Sequence, residues 1–164
     1  MYENDFEQAI QHFEEALAIE PDNADVHYRC SITCARSNRL DRALAHARLA
    51  TALAPLQEEY KLHFDRMQSK ELTVMAKRLL EGDTAGSSVN KEGVVVPALR
   101  LLERAAQLDP LSVDSRVWLA IAYAELEQYE LALNAVQEAS ALPQDDVIAK
   151  QLAELEQRIR KYMD

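Results

Sequence analysis

The sequence predicts an all-α protein. Of its 164 residues, 25 are Ala and 22 are Leu, and both types are strong helix formers. The chain contains three Gly and five Pro, too few for a sandwich or barrel that must turn every ~10 residues. A residue pattern that recurs at the spacing of a two-helix repeat adds a third, independent reason.

The repeat is marked by prolines. Pro21 and Pro55 are 34 residues apart, and Pro110 follows after a further 55, which exceeds the first interval by 21. Small or apolar residues stand upstream in one register, where two helices must approach closely. These sets are Ala9, Phe13 and Ala16; Ala43, Ala47 and Ala50; Ala98, Leu102 and Ala105; and Ala132, Val136 and Ala139, whose proline, Pro143, comes one residue early.

The register divides the chain, taken as one domain over residues 1–164, into successive helices. Residues 1–21 match the second helix of a truncated repeat, 24–55 a complete repeat, 57–110 a repeat with an insertion around 72–92, 113–142 a complete repeat, and 145–162 a capping helix. Because a preceding helix is missing, we expect the chain to be a fragment of a longer protein.

The 21 extra residues fall in the third repeat. Apolar residues at helical spacing from about Gln57 to about Glu81 predict a helix much longer than the usual ~14 residues of a repeat helix. The segment from Gly82 to Gly93 follows, with all three glycines and no large apolar residue, and is predicted to be a mobile loop. The last helix has acids at its start and bases at its end, as the helix dipole favours.

This pattern resembles the tetratricopeptide repeat (TPR) family. The resemblance covers roughly residues 1–55 and 93–143. It implies an α-solenoid of antiparallel helix pairs in a right-handed superhelix, with the first helix of each pair lining a concave groove. It also implies a role in binding proteins, and the alternatives below remain open.

The charge distribution bears on location and partners. The net charge of −10 argues against nucleic acid as a partner, and no apolar run approaches the ~18 residues of a membrane span. The start of the chain resembles no signal segment, so a cytoplasmic location is expected. Acidic residues dominate both ends, whereas residues 26–80 are basic.

Motifs that could carry chemistry give little support for catalysis. His27, Cys30 and Cys34 share one helical face and could offer metal ligands, but the two cysteines occupy core positions of the repeat and are interpreted as packing residues. No paired nucleophile and base, phosphate loop or paired catalytic carboxylates stand out. The sequence therefore predicts a chain that is not an enzyme and holds no cofactor or metal.

The resemblance identifies the groove residues. They mix apolar side chains with cations, and the predicted set is Tyr28, Arg29, Ile32, Arg36, Leu62, Arg66, Lys70, Val117 and Ile121. The first hypothesis is a non-catalytic adaptor or scaffold whose groove binds a partner's peptide or helix with acidic and apolar residues. The alternative for the cations is pairing with acidic residues of the same chain, such as Glu14 or Glu15.

A second hypothesis is self-assembly. Phe6, Ile10, Phe13 and Leu17 form an apolar stripe on the first helix. The stripe needs cover from the next helix, a missing helix or another chain, and a homodimer through it is the alternative function. A more remote one is that the chain is a regulatory TPR segment of a larger enzyme.

Overall fold

The computed structural model describes residues 2–82 and 91–164, except for the side chains of Tyr2 and Glu3. The described residues form eight α-helices and no strand. The helices are α1 Tyr2–Ile19, α2 Ala24–Arg36, α3 Leu40–Leu53, α4 Glu58–Gly82, α5 Lys91–Leu108, α6 Val113–Glu125, α7 Tyr129–Ser140 and α8 Asp146–Met163. The all-α prediction is confirmed. None of these helices combines the length and the apolar character that a membrane crossing requires.

The chain divides into an N-terminal unit, Met1–Gln68, and a C-terminal unit, Ser69–Asp164. In the N-terminal unit α2 packs closely on α3, and α1 packs on α2. In the C-terminal unit α6 packs on both α5 and α7, and α8 packs on α7. Each unit therefore buries the apolar faces of successive antiparallel helices against each other.

Side-chain caps begin three of the helices. Asn23 accepts a hydrogen bond from the backbone N–H of Val26 at the start of α2, at 3.1 Å. Ser112 does the same for Ser115 at the start of α6, and Asp145 for Ile148 at the start of α8. Each cap satisfies one of the N–H groups that a helix leaves without an internal partner.

The turns after α2 and α6 have the same geometry, 89 residues apart. Asn38 and Glu127 lie in the left-handed region, with φ of 61° and 59°. The N–H of Arg39 bonds to the carbonyl of Cys34 at 2.8 Å, and the N–H of Gln128 bonds to that of Tyr123 at 2.9 Å. These are Schellman motifs, which end a helix and reverse the chain. The offset of 89 residues equals two repeat lengths of 34 plus the 21 extra residues of the third repeat.

Small residues lie where the helices approach most closely. Ala43, Ala47 and Ala50 of α3 are buried, with exposures of 0%, 1% and 0%. In the C-terminal unit the matching positions are also buried, and they are Ala98, Leu102, Ala105, Ala132, Val136 and Ala139. The register of small residues found in the sequence is therefore the register of helix contact.

The long helix α4 agrees with the prediction, whereas the segment after it is shorter than predicted. The over-long helix is confirmed, because α4 contains 25 residues. The expected loop was too long at both ends, because Gly82 ends α4 and α5 already contains Lys91 and Gly93. Val95, one turn further, is buried in the C-terminal core, and this burial favours continuing the helix toward Lys91. The expected loop residues 83–90 lie outside the described residues.

The core of the C-terminal unit gives a first prediction. Leu102 of α5 is fully buried in the core cluster of the C-terminal unit, so Leu102→Ala should lower the free energy of unfolding by about 3 kcal/mol. Leu111 is 62% exposed, and Leu111→Ala should change it by less than about 0.5 kcal/mol. Urea unfolding followed by circular dichroism measures both, and equal effects would contradict this packing.

Candidate functional site

Six predicted groove residues belong to the N-terminal unit, on α2 and the first turns of α4. We call this surface the α2/α4 face and define it as Tyr28, Arg29, Ile32, Arg36, Leu62 and Arg66. Aromatic rings join the two helices, because the Tyr28 ring lies 4.7 Å from Tyr60 and 5.3 Å from His63, measured between ring centroids. Within this unit α2 and the first part of α4 are therefore neighbours.

Reciprocal hydrogen bonds hold the two helices together. Tyr28 Oη donates to Glu59 at 3.1 Å, and Tyr60 Oη donates to Asp25 at 3.3 Å. Partial burial and the adjacent Glu59 carboxylate raise the pKa of Tyr28 above its ordinary value. Burial and Asp25 likewise raise the pKa of Tyr60. Both phenols therefore keep the protons that they donate.

A third contact joins α2 and α4 below the surface. Ser31 is fully buried and donates to the carbonyl of Ala43 at 2.6 Å, so its oxygen accepts from His63 Nε2 at 2.8 Å. A serine beside a histidine can form a nucleophile and base pair. Here the hydroxyl proton is held by a backbone carbonyl and the oxygen is inaccessible. The pair is a packing contact.

These contacts set the direction of the face. Tyr28 meets Tyr60 and Ser31 meets His63, so residue numbers rise together along α2 and α4. Since the helices run in parallel, Arg36 and Arg66 lie toward the same end of the face. Asp25 lies at the opposite end.

The arginines of the α2/α4 face differ in whether a carboxylate pairs with them. Arg29 pairs with Asp25 at 2.8 Å, whereas no carboxylate in residues 2–82 or 91–164 lies within 4.0 Å of the Arg36 or Arg66 guanidinium. Both side chains are exposed. The charge of Arg66 acts on Tyr28, where it opposes the rise in the phenol pKa. The face thus has one end with exposed cations and one end with engaged carboxylates.

Two other cations of the basic band, outside the predicted groove set, pair with acidic residues of α1. Arg39 contacts Glu7 at 2.8 Å, and Arg42 contacts Glu14. Both arginines belong to the start of α3 or the turn before it, and both acids belong to α1. Intramolecular pairing therefore accounts for these two arginines but not for Arg36 or Arg66.

The other three predicted groove residues belong to the C-terminal unit. Lys70 is exposed, while Val117 and Ile121 are half-buried and pack against the core of that unit. Ile121 lines two clefts, of about 470 and about 360 Å³, which also share Lys91 and Glu125. These last two residues form an ion pair at 3.5 Å. Six of the nine predicted groove residues thus belong to the N-terminal unit and three to the C-terminal unit.

Trp118, the single tryptophan of the chain, packs against the core of the C-terminal unit. It is half-buried, and the Lys77 ammonium lies 5.4 Å from its ring centroid. The ring also lines the smaller of the two clefts. The ring therefore contributes to helix packing and to the wall of this cleft.

The apolar stripe of α1 is largely covered within its own unit. Ile10 is 3% exposed, and Phe6, Phe13 and Leu17 are half-buried. Ile10 and Phe13 pack on the cluster that contains Cys30 and Cys34 of α2. The next helix thus covers Ile10 and part of Phe13, in the middle of the stripe.

The possible metal ligands of α2 are engaged in packing. Cys30 and Cys34 are fully buried. A hydrogen bond to Cys34, together with burial, raises the pKa of the Cys30 thiol. The His27 ring contacts the Pro21 carbonyl and His46 instead of the thiols. In the part of the chain that the structure describes, no three His, Cys, Asp or Glu side chains form a group that could hold a metal ion.

Sequence reasoning missed the partners of several residues on this face. Glu59 and His63 stood on the expected groove helix, but their bonds to Tyr28 and Ser31 join residues 31 and 32 positions apart. Both separations are close to the repeat length of 34. A search for polar residues about one repeat apart could therefore have identified these two hydrogen-bonded pairs.

The successive helix pairs and their common register define an α-helical repeat protein. Two family models described as "Tetratricopeptide repeat" match residues 1–62 and 98–146, together about two thirds of the chain. The chain belongs to the tetratricopeptide repeat family. None of the curated proteins matches it.

Several solved structures are similar to this chain. TTC0263, a thermophilic TPR protein of Thermus thermophilus, is 21% identical, with 94% of this chain and 74% of that chain covered and a TM-score of 0.46. MamA 41-end from Desulfovibrio magneticus RS-1 is 17% identical, with 96% and 85% covered and a TM-score of 0.48. YrrB, described as a TPR protein with an unusual peptide-binding site, is 16% identical, with 92% and 84% covered and a TM-score of 0.45.

The reciprocal tyrosine contacts give a second prediction. Tyr28→Phe and Glu59→Gln should each lower the free energy of unfolding of the N-terminal unit by about 0.5–1 kcal/mol, because each weakens the same exposed hydrogen bond. The double variant should lose less than the sum of the single changes, which a double-mutant cycle in urea measures. Tyr123→Phe removes a similar bond, to Glu103 in the C-terminal unit, and should not couple to Glu59→Gln. Additive effects of Tyr28→Phe and Glu59→Gln would contradict the contact.

Proposed function

We propose that this chain is a non-catalytic protein-interaction module, an adaptor or scaffold that binds a partner peptide on its α2/α4 face. The peptide is extended or helical and carries acidic and apolar side chains. The observation that carries this proposal is the pair of exposed arginines, Arg36 and Arg66, toward the same end of the face and without a carboxylate partner in the described residues.

The chemistry of the face matches such a peptide. An Arg guanidinium presents several N–H donors in a plane and can hold a carboxylate with two parallel hydrogen bonds. Next to the arginines, Leu62 is 49% exposed and Ile32 is half-buried, so apolar peptide side chains would find contact area. At the other end, Asp25 and Glu59 accept hydrogen bonds from tyrosines and add negative charge. The peptide's acidic residues are therefore expected at the arginine end.

Family membership supports the coarser part of this proposal. TPR helix pairs generally serve as interaction modules, and their motifs concern packing and name no reaction. The buried Ser31 and His63 pair adds nothing to the case for catalysis, because its hydroxyl is committed to a backbone carbonyl.

The test uses a selected peptide, since the natural partner is not identified. Random peptides displayed on phage are selected on the wild-type chain, and enriched sequences are synthesised with a fluorophore. We expect enrichment in Asp and Glu beside apolar residues. In fluorescence anisotropy, Arg36→Glu/Arg66→Glu should raise the Kd at least about tenfold, because two attractive contacts become repulsive.

The matched control changes the same charge elsewhere. Arg78 and Arg100 are exposed, belong to the C-terminal unit and have no ion pair in the described residues. Arg78→Glu/Arg100→Glu should leave the Kd within about twofold, apart from long-range screening effects. Circular dichroism establishes that both variants fold. An equal loss of affinity in both variants, or peptides without acidic residues, would count against the α2/α4 face.

Self-assembly through α1 is the competing proposal. Its support is the partial exposure of Phe6, Phe13 and Leu17, together with Ile19 at 83% exposure on the same helix. Light scattering over a wide concentration range separates the two. A dimer that Phe6→Ser abolishes, with no effect from Arg36→Glu/Arg66→Glu, would favour self-assembly, whereas peptide binding predicts a monomer before peptide is added.

A further inference from the structure

Two histidines of the N-terminal unit face each other end to end. His27 Nδ1 lies 3.0 Å from His46 Nδ1, and the ring centroids are 5.3 Å apart. On its other side, His27 Nε2 lies 2.8 Å from the carbonyl oxygen of Pro21, in the turn before α2. His27 is 6% exposed and His46 is half-buried. We call these two residues the histidine pair.

The partners determine where the protons lie. A carbonyl oxygen only accepts, so His27 Nε2 carries a proton and donates it to Pro21. The neutral His27 ring then has a lone pair at Nδ1. The contact with His46 is a hydrogen bond only if His46 Nδ1 carries a proton and donates it. At neutral charge, one proton therefore bridges α2 and α3.

Adding protons has two distinct effects. The first extra proton can bind at His46 Nε2, which leaves the bridging hydrogen bond in place. The second can bind only at His27 Nδ1. Two N–H groups and two positive charges would then face each other across 3.0 Å, with no acceptor between them. The doubly protonated pair is incompatible with the observed contact.

We propose that the histidine pair is an acid-sensitive latch that joins the turn before α2, α2 itself and α3, and that it opens when both rings are protonated. The latch lies below the α2/α4 face, and its operation does not depend on any peptide binding there.

The charged groups around the pair come from each packed helix. Burial, the charge of His27 on α2 and the charge of Arg42 on α3 lower the pKa of His46 below its ordinary value of 6.5, and Glu14 on α1 opposes them. Arg42 and Glu14 are themselves an ion pair. Since the unfolded chain then binds this proton at a higher pH than the folded chain, stability is lost as the pH falls below 6.5.

The chain provides its own reference for this effect. All four histidines, His12, His27, His46 and His63, belong to the N-terminal unit by sequence. Histidine protonation therefore acts directly on that unit, and the C-terminal unit serves as an internal control.

Amide hydrogen exchange on the whole chain tests the latch. Between about pH 7.5 and about pH 5.5, protection of the amides of His27 and the next turn of α2 should fall about tenfold, after correction for intrinsic exchange. His46→Gln keeps an N–H donor toward His27 but does not titrate, so it should abolish most of this fall. His12→Gln removes an exposed histidine on α1, and it should behave as the wild type.

A second measurement stays informative if His46→Gln fails to fold. In the wild type, proton NMR at neutral pH should show a slowly exchanging, strongly downfield imidazole N–H that disappears in acid. Absence of that resonance at neutral pH, or an undiminished loss of protection in a folded His46→Gln chain, would overturn the proposal.

Discussion

The structure depends on how closely two helix backbones can approach. Ala43, Ala47 and Ala50 leave so little side-chain volume that α2 lies directly against α3. Only at this distance can the Ser31 hydroxyl reach the carbonyl of Ala43. The position of Ser31 in turn fixes His63 on α4. A steric constraint at three alanines therefore determines where the polar contacts of the α2/α4 face lie.

In the C-terminal unit the helices also pack closely, but different side chains lie at the contact. Ala120 and Leu119 occupy the register of Ser31 and Cys30, so its helix contact is wholly apolar at these positions. At these positions the N-terminal unit instead buries the Cys30 thiol and the Ser31 hydroxyl. Since buried polar groups need partners, these positions in the N-terminal unit tolerate fewer substitutions than their counterparts.

Much of the fold could be predicted from the sequence, because it is encoded locally. Proline spacing and the small-residue register are enough to position the helices, and caps and polar turns mark several of their ends. The start of α5 was missed because a glycine such as Gly93 usually indicates a loop, whereas the burial of Val95 depends on tertiary contacts.

The candidate site could be predicted only in part. Helical period and the resemblance to the repeat family indicate which side of a helix a residue occupies, and the residues of the α2/α4 face were chosen on that basis. Which cation is already engaged depends on side chains from other helices. Arg39 and Arg42 pair with Glu7 and Glu14 of α1, and these partners are 28 to 32 residues away in the sequence.

The ion pairs between Arg39 and Glu7 and between Arg42 and Glu14 have a consequence for α1. All four side chains are at least partly exposed, so dissolved ions weaken their attraction. The contact between α2 and α3, made of buried alanines, has no such sensitivity. Ionic strength thus acts more on the polar contacts that join α1 to the start of α3 than on the packing of α2 against α3.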